Sequence, residues 1–146
     1  MKATLLLALF TIGSVRLVAA LEPPPTEVVQ IDHAKVGAAF AGGLPLLANT
    51  SYKISAGRRV VPGSVEVHTQ DTDIFYVVEG SATFVTGGTV ADSKTVGPGE
   101  IRGTATTGGV THHLTKGDVI VIPKGTPHWF TAVDGTFLYF VVKVTQ

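Results

Sequence analysis

Three short stretches hold the residues that could do chemistry in this chain. Residues 64–70 (SVEVHTQ) alternate in the manner of a strand, so Glu66, His68 and Gln70 share one face and Val65 and Val67 the other. Residues 73–78 (DIFYVV) put Asp73 on the face that carries Phe75 and Val77. Residues 117–128 (GDVIVIPKGTPH) read as a strand, a turn stiffened by Pro123, Gly125 and Pro127, and a histidine opening the next strand. Proline fixes φ and glycine permits a tight reversal, so such a turn can hold His128 in one place. There is no cysteine, which excludes disulfides, thiolate catalysis and Cys-ligated zinc or iron–sulfur centres. Chemistry must come from imidazole, carboxylate and hydroxyl groups, or from something they bind.

The elements that must position these groups are mostly strands. Stretches rich in Val, Ile, Thr, Phe and Tyr recur at residues 51–55, 64–69, 73–78, 82–86, 110–114, 119–122, 128–133 and 137–144. Gly, Pro, Asp or Asn separates most of them, as turns require. Short strands in such number predict an all-β sandwich or barrel that hides its edges. Glu79-Gly80 reads as a turn. Residues 87–109 hold seven glycines and read as a long loop with one short irregular strand near 100–103. The one helical stretch spans residues 32–41, with Asp32 placed to cap it and Gly42-Gly43 to end it. On parity His112 accompanies Leu114 to the inner side, Phe75 and Phe130 line any pocket, and Trp129 faces away from His128. Arg58 and Arg59 could hold a carboxylate between them or form a surface pair.

Composition narrows the function classes. The 146 residues are 45% hydrophobic and 15% charged, with 11 basic against 11 acidic side chains. Without a basic field nothing invites nucleic acid, and the low charge argues against a disordered tail. Residues 1–20 have the layout of a secretory signal peptide: Lys2, an apolar run, then Val18-Ala19-Ala20 before the cleavage point. That run is too short to span a bilayer as a helix, so no stable membrane insertion is expected after cleavage. The expected organisation is a signal segment at 1–20, an extension with a short helix at 21–50, and a β-barrel domain at 51–146. The expected location is secreted or periplasmic.

The two histidine stretches together resemble the cupin motifs. The second motif, G-x5-P-x-G-x2-H-x3-N, is met at Gly117, Pro123, Gly125 and His128, with Ala132 in place of the last Asn. The first, G-x5-H-x-H-x3,4-E-x6-G, is met at His68 and Gly80, with Val60, Glu66 and Asp73 in place of Gly, His and Glu. The resemblance implies a double-stranded β-helix, the jelly-roll cupin barrel, here with a short N-terminal helix. It implies a divalent metal (Fe, Mn, Zn or Ni) held by Glu66, His68, Asp73 and His128. Two imidazoles and two carboxylates on inward faces would suit such a cation and leave positions open. Gln70 could stand in for Glu66, and Gln70 and His112 are candidates for support behind the ligands. The function expected is a metal-dependent enzyme, oxygenase-type in preference, acting on a small molecule; the alternative is a non-catalytic module that binds a small ligand or metal. The family also implies a homodimer.

Overall fold

A computed structural model describes residues 20–146, so residues 1–19 of the expected signal segment lie outside the described part. Helix α1, His33–Gly42, begins where the sequence places it: Asp32 Oδ1 accepts the Lys35 amide at 2.9 Å. It ends on Gly43, whose left-handed φ of 65° lets its N–H reach the Ala39 carbonyl. Phe40 fixes the helix to the barrel by meeting Phe140 edge to face, with centroids 4.9 Å apart.

Eleven strands follow: β1 Pro45–Ala48, β2 Tyr52–Arg59, β3 Val65–His68, β4 Asp71–Thr86, β5 Thr89–Ala91, β6 Lys94–Gly97, β7 Glu100–Gly103, β8 Ala105–Thr107, β9 Val110–Thr115, β10 Val119–Ile122 and β11 His128–Thr145. The main sheet runs β1-β2-β11-β3-β7-β6, while β4 pairs with β11, β9 and β10, and β5 and β8 form a separate ribbon. Among the described residues this is the expected all-β jelly roll with one short helix.

Three local expectations need correction. Residues 87–109 are not a long loop with one strand. They carry β5, β6, β7 and β8, and the glycines serve the tight reversals between them, Gly87, Gly88, Gly99, Gly108 and Gly109 all having positive φ. Residues 79–80 are not a turn either. Gly80 sits inside the continuous strand β4 at φ 80°, where a Cβ would collide with the Thr136 carbonyl. The β4–β11 ladder shifts register across 134–138, so the pair bends here without ending. Finally β1, within the N-terminal stretch, pairs with β2 and was not foreseen. Asn49 makes that reversal, its Oδ1 accepting the Ser51 and Tyr52 amides at 2.9 Å each.

The core follows strand parity. Asp73, Phe75 and Val77 of β4 are buried, and Tyr76 between them is exposed. Phe75 and Val77 join Ala82, Phe84, Leu114, Ile122, Phe130, Phe137 and Tyr139 in one cluster, and its aromatic rings lie against the floor of the site.

Candidate metal centre

Sheet register, more than sequence proximity, brings the site together. Glu66 on β3 has His128 of β11 as its partner on one side and Arg102 of β7 on the other. His68 lies opposite Glu100, and Asp73 opposite Lys143. The Pro-Gly turn is bolted to the same strand, because the Gly125 N–H donates to the His68 carbonyl at 2.7 Å. Glycine is used there at φ 79°. His128 therefore enters the barrel at a fixed height beside His68, with ring centroids 5.1 Å apart.

Both imidazoles are oriented from behind. Nδ1 of His68 lies 2.9 Å from a Glu100 carboxylate oxygen, and Nδ1 of His128 lies 3.0 Å from the Thr126 carbonyl. Those oxygens can only accept, so each Nδ1 carries a proton, and in its neutral form each ring turns a lone pair inward at Nε2. Nε2 of His68 is buried and has no hydrogen-bond partner. Glu66, His68 and His128 offer one ligand atom each within 4.8 Å of one another, which makes them a candidate metal site. An orphaned imidazole nitrogen facing a carboxylate and a second imidazole fits a divalent ion.

Charges crowd this centre. Glu66 meets Arg59 at 3.3 Å and Arg102 at 3.6 Å, and Arg102 also holds Glu100 at 3.0 Å. Burial works against the Glu66 carboxylate, but His68, Arg102, His128 and Arg59 outweigh it and hold the group down at about 2. Burial likewise opposes charge on His68, yet the Glu66 carboxylate 3.5 Å away, with Asp73 and Glu100, raises it above the ordinary imidazole value. His128 moves the other way, since burial dominates and favours the neutral ring.

A stability consequence follows for the metal-free protein. Glu66 is depressed on folding, so its contribution is fully present above about 4.5 and is lost as pH falls toward about 2. Urea midpoints of the wild type should therefore decline across that window more steeply than those of Glu66→Gln. Parallel declines would show that the carboxylate gains nothing from its arginines.

Asp73 is placed close by but committed elsewhere. Its Oδ2 lies 3.5 Å from His68 Nε2 and 3.8 Å from His128 Nε2, while both oxygens accept from Lys143 Nζ at 2.8 Å. Gln70 is exposed and outside the cluster. His112 is half-buried, its Nε2 paired with the Thr86 hydroxyl at 2.8 Å, and it does not line the cavity above the triad. Phe75 and Phe130 do line that cavity, of about 70 Å³, along with Arg59, Tyr139, Val141 and Lys143; Trp129, expected to face away, also borders it. The Tyr139 ring lies flat over Gly57, where a Cβ would fall 2.6 Å from it, and its hydroxyl accepts from Arg59 Nε at 3.3 Å. Arg59 also sits 4.7 Å above the Phe130 ring.

The sequence reading missed Glu100, Arg102 and Lys143. The alternation of Glu100 and Arg102 in EIRG was a usable signal, but only pairing with β3 shows which face matters.

The family model for cupins matches residues 19–146. This chain is a cupin. The match begins well before residue 51, so it takes in the N-terminal stretch with α1 and β1. Among solved structures, a Bacillus halodurans protein superposes on this cupin with a TM-score of 0.58 at 13% identity, over 87% of each chain. The cupin domain of Schizosaccharomyces pombe Cnp3 gives 0.54 at 10% identity, over 71% of this chain and 64% of that one. Peruvianin-I, a cysteine peptidase from Thevetia peruviana latex, gives 0.44 at 14% identity, over 65% of this chain and 51% of its own. The cupin thus spans about half to two thirds of the length of the last two. At such identities the likeness shows the fold alone. No curated protein matches the sequence.

Proposed function

We propose that this cupin binds a divalent metal at Glu66, His68 and His128 and acts as a metal-dependent enzyme on a small molecule, with oxygenase-type chemistry preferred. The observation that carries the reading is the pair of imidazoles locked at Nδ1, one with its Nε2 buried and unpartnered, facing an ionised carboxylate. Two histidines and one carboxylate with open positions are the donor set associated with non-haem Fe(II) oxygenases. When bound, the metal supplies Lewis-acid polarisation of a ligand oxygen or activation of water or O2.

The chain's own groups do the rest. Glu66, held ionised, accepts hydrogen bonds and brings negative charge to the site near neutrality. His128, kept neutral by burial, offers its Nε2 lone pair to the metal without first having to shed a proton. Arg59, steadied by Tyr139 and Phe130, presents positive charge to the cavity, and Phe75 and Phe130 keep water from its floor. A cavity of about 70 Å³ admits a small molecule or the head of a larger one.

Glu100 supports His68 from behind, and loss of such a group costs roughly 10- to 100-fold in metal affinity. Glu100→Gln is expected to weaken binding by that factor in competition with a chelating dye. Unchanged affinity would remove Glu100 from the site. The function itself is tested by elemental analysis of protein purified from its own compartment, then by a panel of small substrates under air and under nitrogen. Stoichiometric metal with oxygen consumption supports the oxygenase, whereas well-folded native protein without metal overturns the proposal.

One observation favours the second reading, a non-catalytic module that binds a small ligand or metal. The three carboxylates of the site are already neutralised by Arg59, Arg102 and Lys143. A ligand retained unchanged on the same panel would select it.

We propose further that the chain is exported, on the layout of residues 1–20, and that it pairs as a homodimer. Tyr76, Val119 and Val121, exposed side by side on β4 and β10, support the pairing. Sedimentation of the purified protein as a monomer would exclude it.

A further inference from the structure

Resting on the metal reading, we propose that Lys143 is a built-in competitor for the metal, and that Asp73 becomes a fourth ligand only when the Lys143 ammonium withdraws. Asp73 and Lys143 are cross-strand partners on β4 and β11. The Lys143 Nζ reaches both carboxylate oxygens at 2.8 Å, and the Asp73 side chain is only 3% exposed. A carboxylate buried to that degree needs a cation. In the structure the ammonium fills that need.

The same carboxylate is aimed at the candidate centre. Its Oδ2 stands 3.5 and 3.8 Å from the two inward Nε2 atoms, near the separation of donors that share an ion with bonds of about 2.0–2.2 Å. An ammonium pairing with both oxygens opposes a divalent cation arriving at the same carboxylate, because the two like charges would lie within a few ångströms in a partly buried site. Lysine suits a displaceable role. Its stem is long and flexible, its head is readily hydrated, and its side chain here is 23% exposed, so a route to water is open. The neighbouring pair keeps its own arrangement: Lys53 holds Asp71 at 3.0 Å, and Thr145 donates to Asp71 at 2.7 Å. Lys143 is thus the one lysine of the two whose carboxylate faces the triad. The site has a three-ligand state closed by Lys143 and a four-ligand state in which Lys143 has moved to solvent.

The test measures binding of zinc and of manganese by calorimetry, for the wild type, Lys143→Met, Lys143→Gln and the double variant Lys143→Met/Asp73→Asn. Each neutral replacement of Lys143 should bind metal roughly tenfold tighter or more, and the double variant should lose that gain. Because a lone Lys143 replacement leaves Asp73 unpaired without metal, its thermal midpoint should also rise more on adding zinc than that of the wild type. That readout holds even if one replacement folds poorly. A wild type that binds metal alongside Lys143 variants that bind no tighter overturns the competition and leaves the three-ligand site standing. Failure of every protein to bind overturns the metal reading itself.

Discussion

His128→Ala is expected to abolish divalent-metal binding at the candidate centre. Loss of a group that merely steadies a ligand costs up to about 100-fold in affinity, and loss of the ligand itself is expected to exceed that. His128 is 4% exposed, its Nδ1 is committed to Thr126 and its Nε2 faces Glu66 and Asp73. Alanine leaves His68 and Glu66 of the triad, with Asp73 still paired to Lys143, too few to hold an ion in place against water. His128→Gln, closer in volume, controls for packing and should lose metal as well. Metal content after dialysis against chelator is the measurement. A variant that keeps the wild-type content would remove the centre from this place in the barrel.

Phe84→Ala attacks the floor beneath that centre. Phe84 is fully buried and packs against Phe130, Phe75 and His128, with centroids 4.6, 5.7 and 5.8 Å away. Deleting such a ring removes its transfer free energy and leaves a cavity, for about 3–5 kcal/mol of destabilisation. Denaturant unfolding should register that loss. Val96→Ala, at a side chain 60% exposed, should change stability by less than about 0.5 kcal/mol. A small effect at Phe84 would mean that the rings repack around the gap.

What the sequence makes legible divides from what only the fold reveals along physical lines. Local signals were readable: the Asp32 cap and Gly43 end of α1, the burial of Asp73, Phe75 and Val77 on one face, and the rigid turn that delivers His128. Each depends on residues a few positions apart. The reversals at Gly87, Gly99 and Gly108 resemble one long loop in sequence because glycine marks a turn without saying whether strands of three or four residues flank it. Gly80 misled for a related reason, since a positive φ serves a bend inside a strand as well as a hairpin. At the site, strand parity and the cupin resemblance point to Glu66, His68 and His128, which the structure brings together. Their charged neighbours are not legible that way, because Glu100, Arg102 and Lys143 reach the centre through pairings 32 to 70 residues apart in the chain. Asp73 shows the limit most plainly: its inward direction could be inferred from parity, but its lysine partner depends on the register of β11.

The two longest strands have a joint consequence. β4 carries Asp73, Phe75 and Phe84, and β11 carries His128, Tyr139 and Lys143, so one paired ribbon supplies both wall and working groups, with Glu66 and His68 added from β3. Slippage of that one ladder by a single residue would turn Asp73 and Lys143 out of line together and scatter the rings beneath them. Tolerance to insertion should consequently lie in the β5–β8 ribbon, which pairs only with itself, and not along the spine of the barrel.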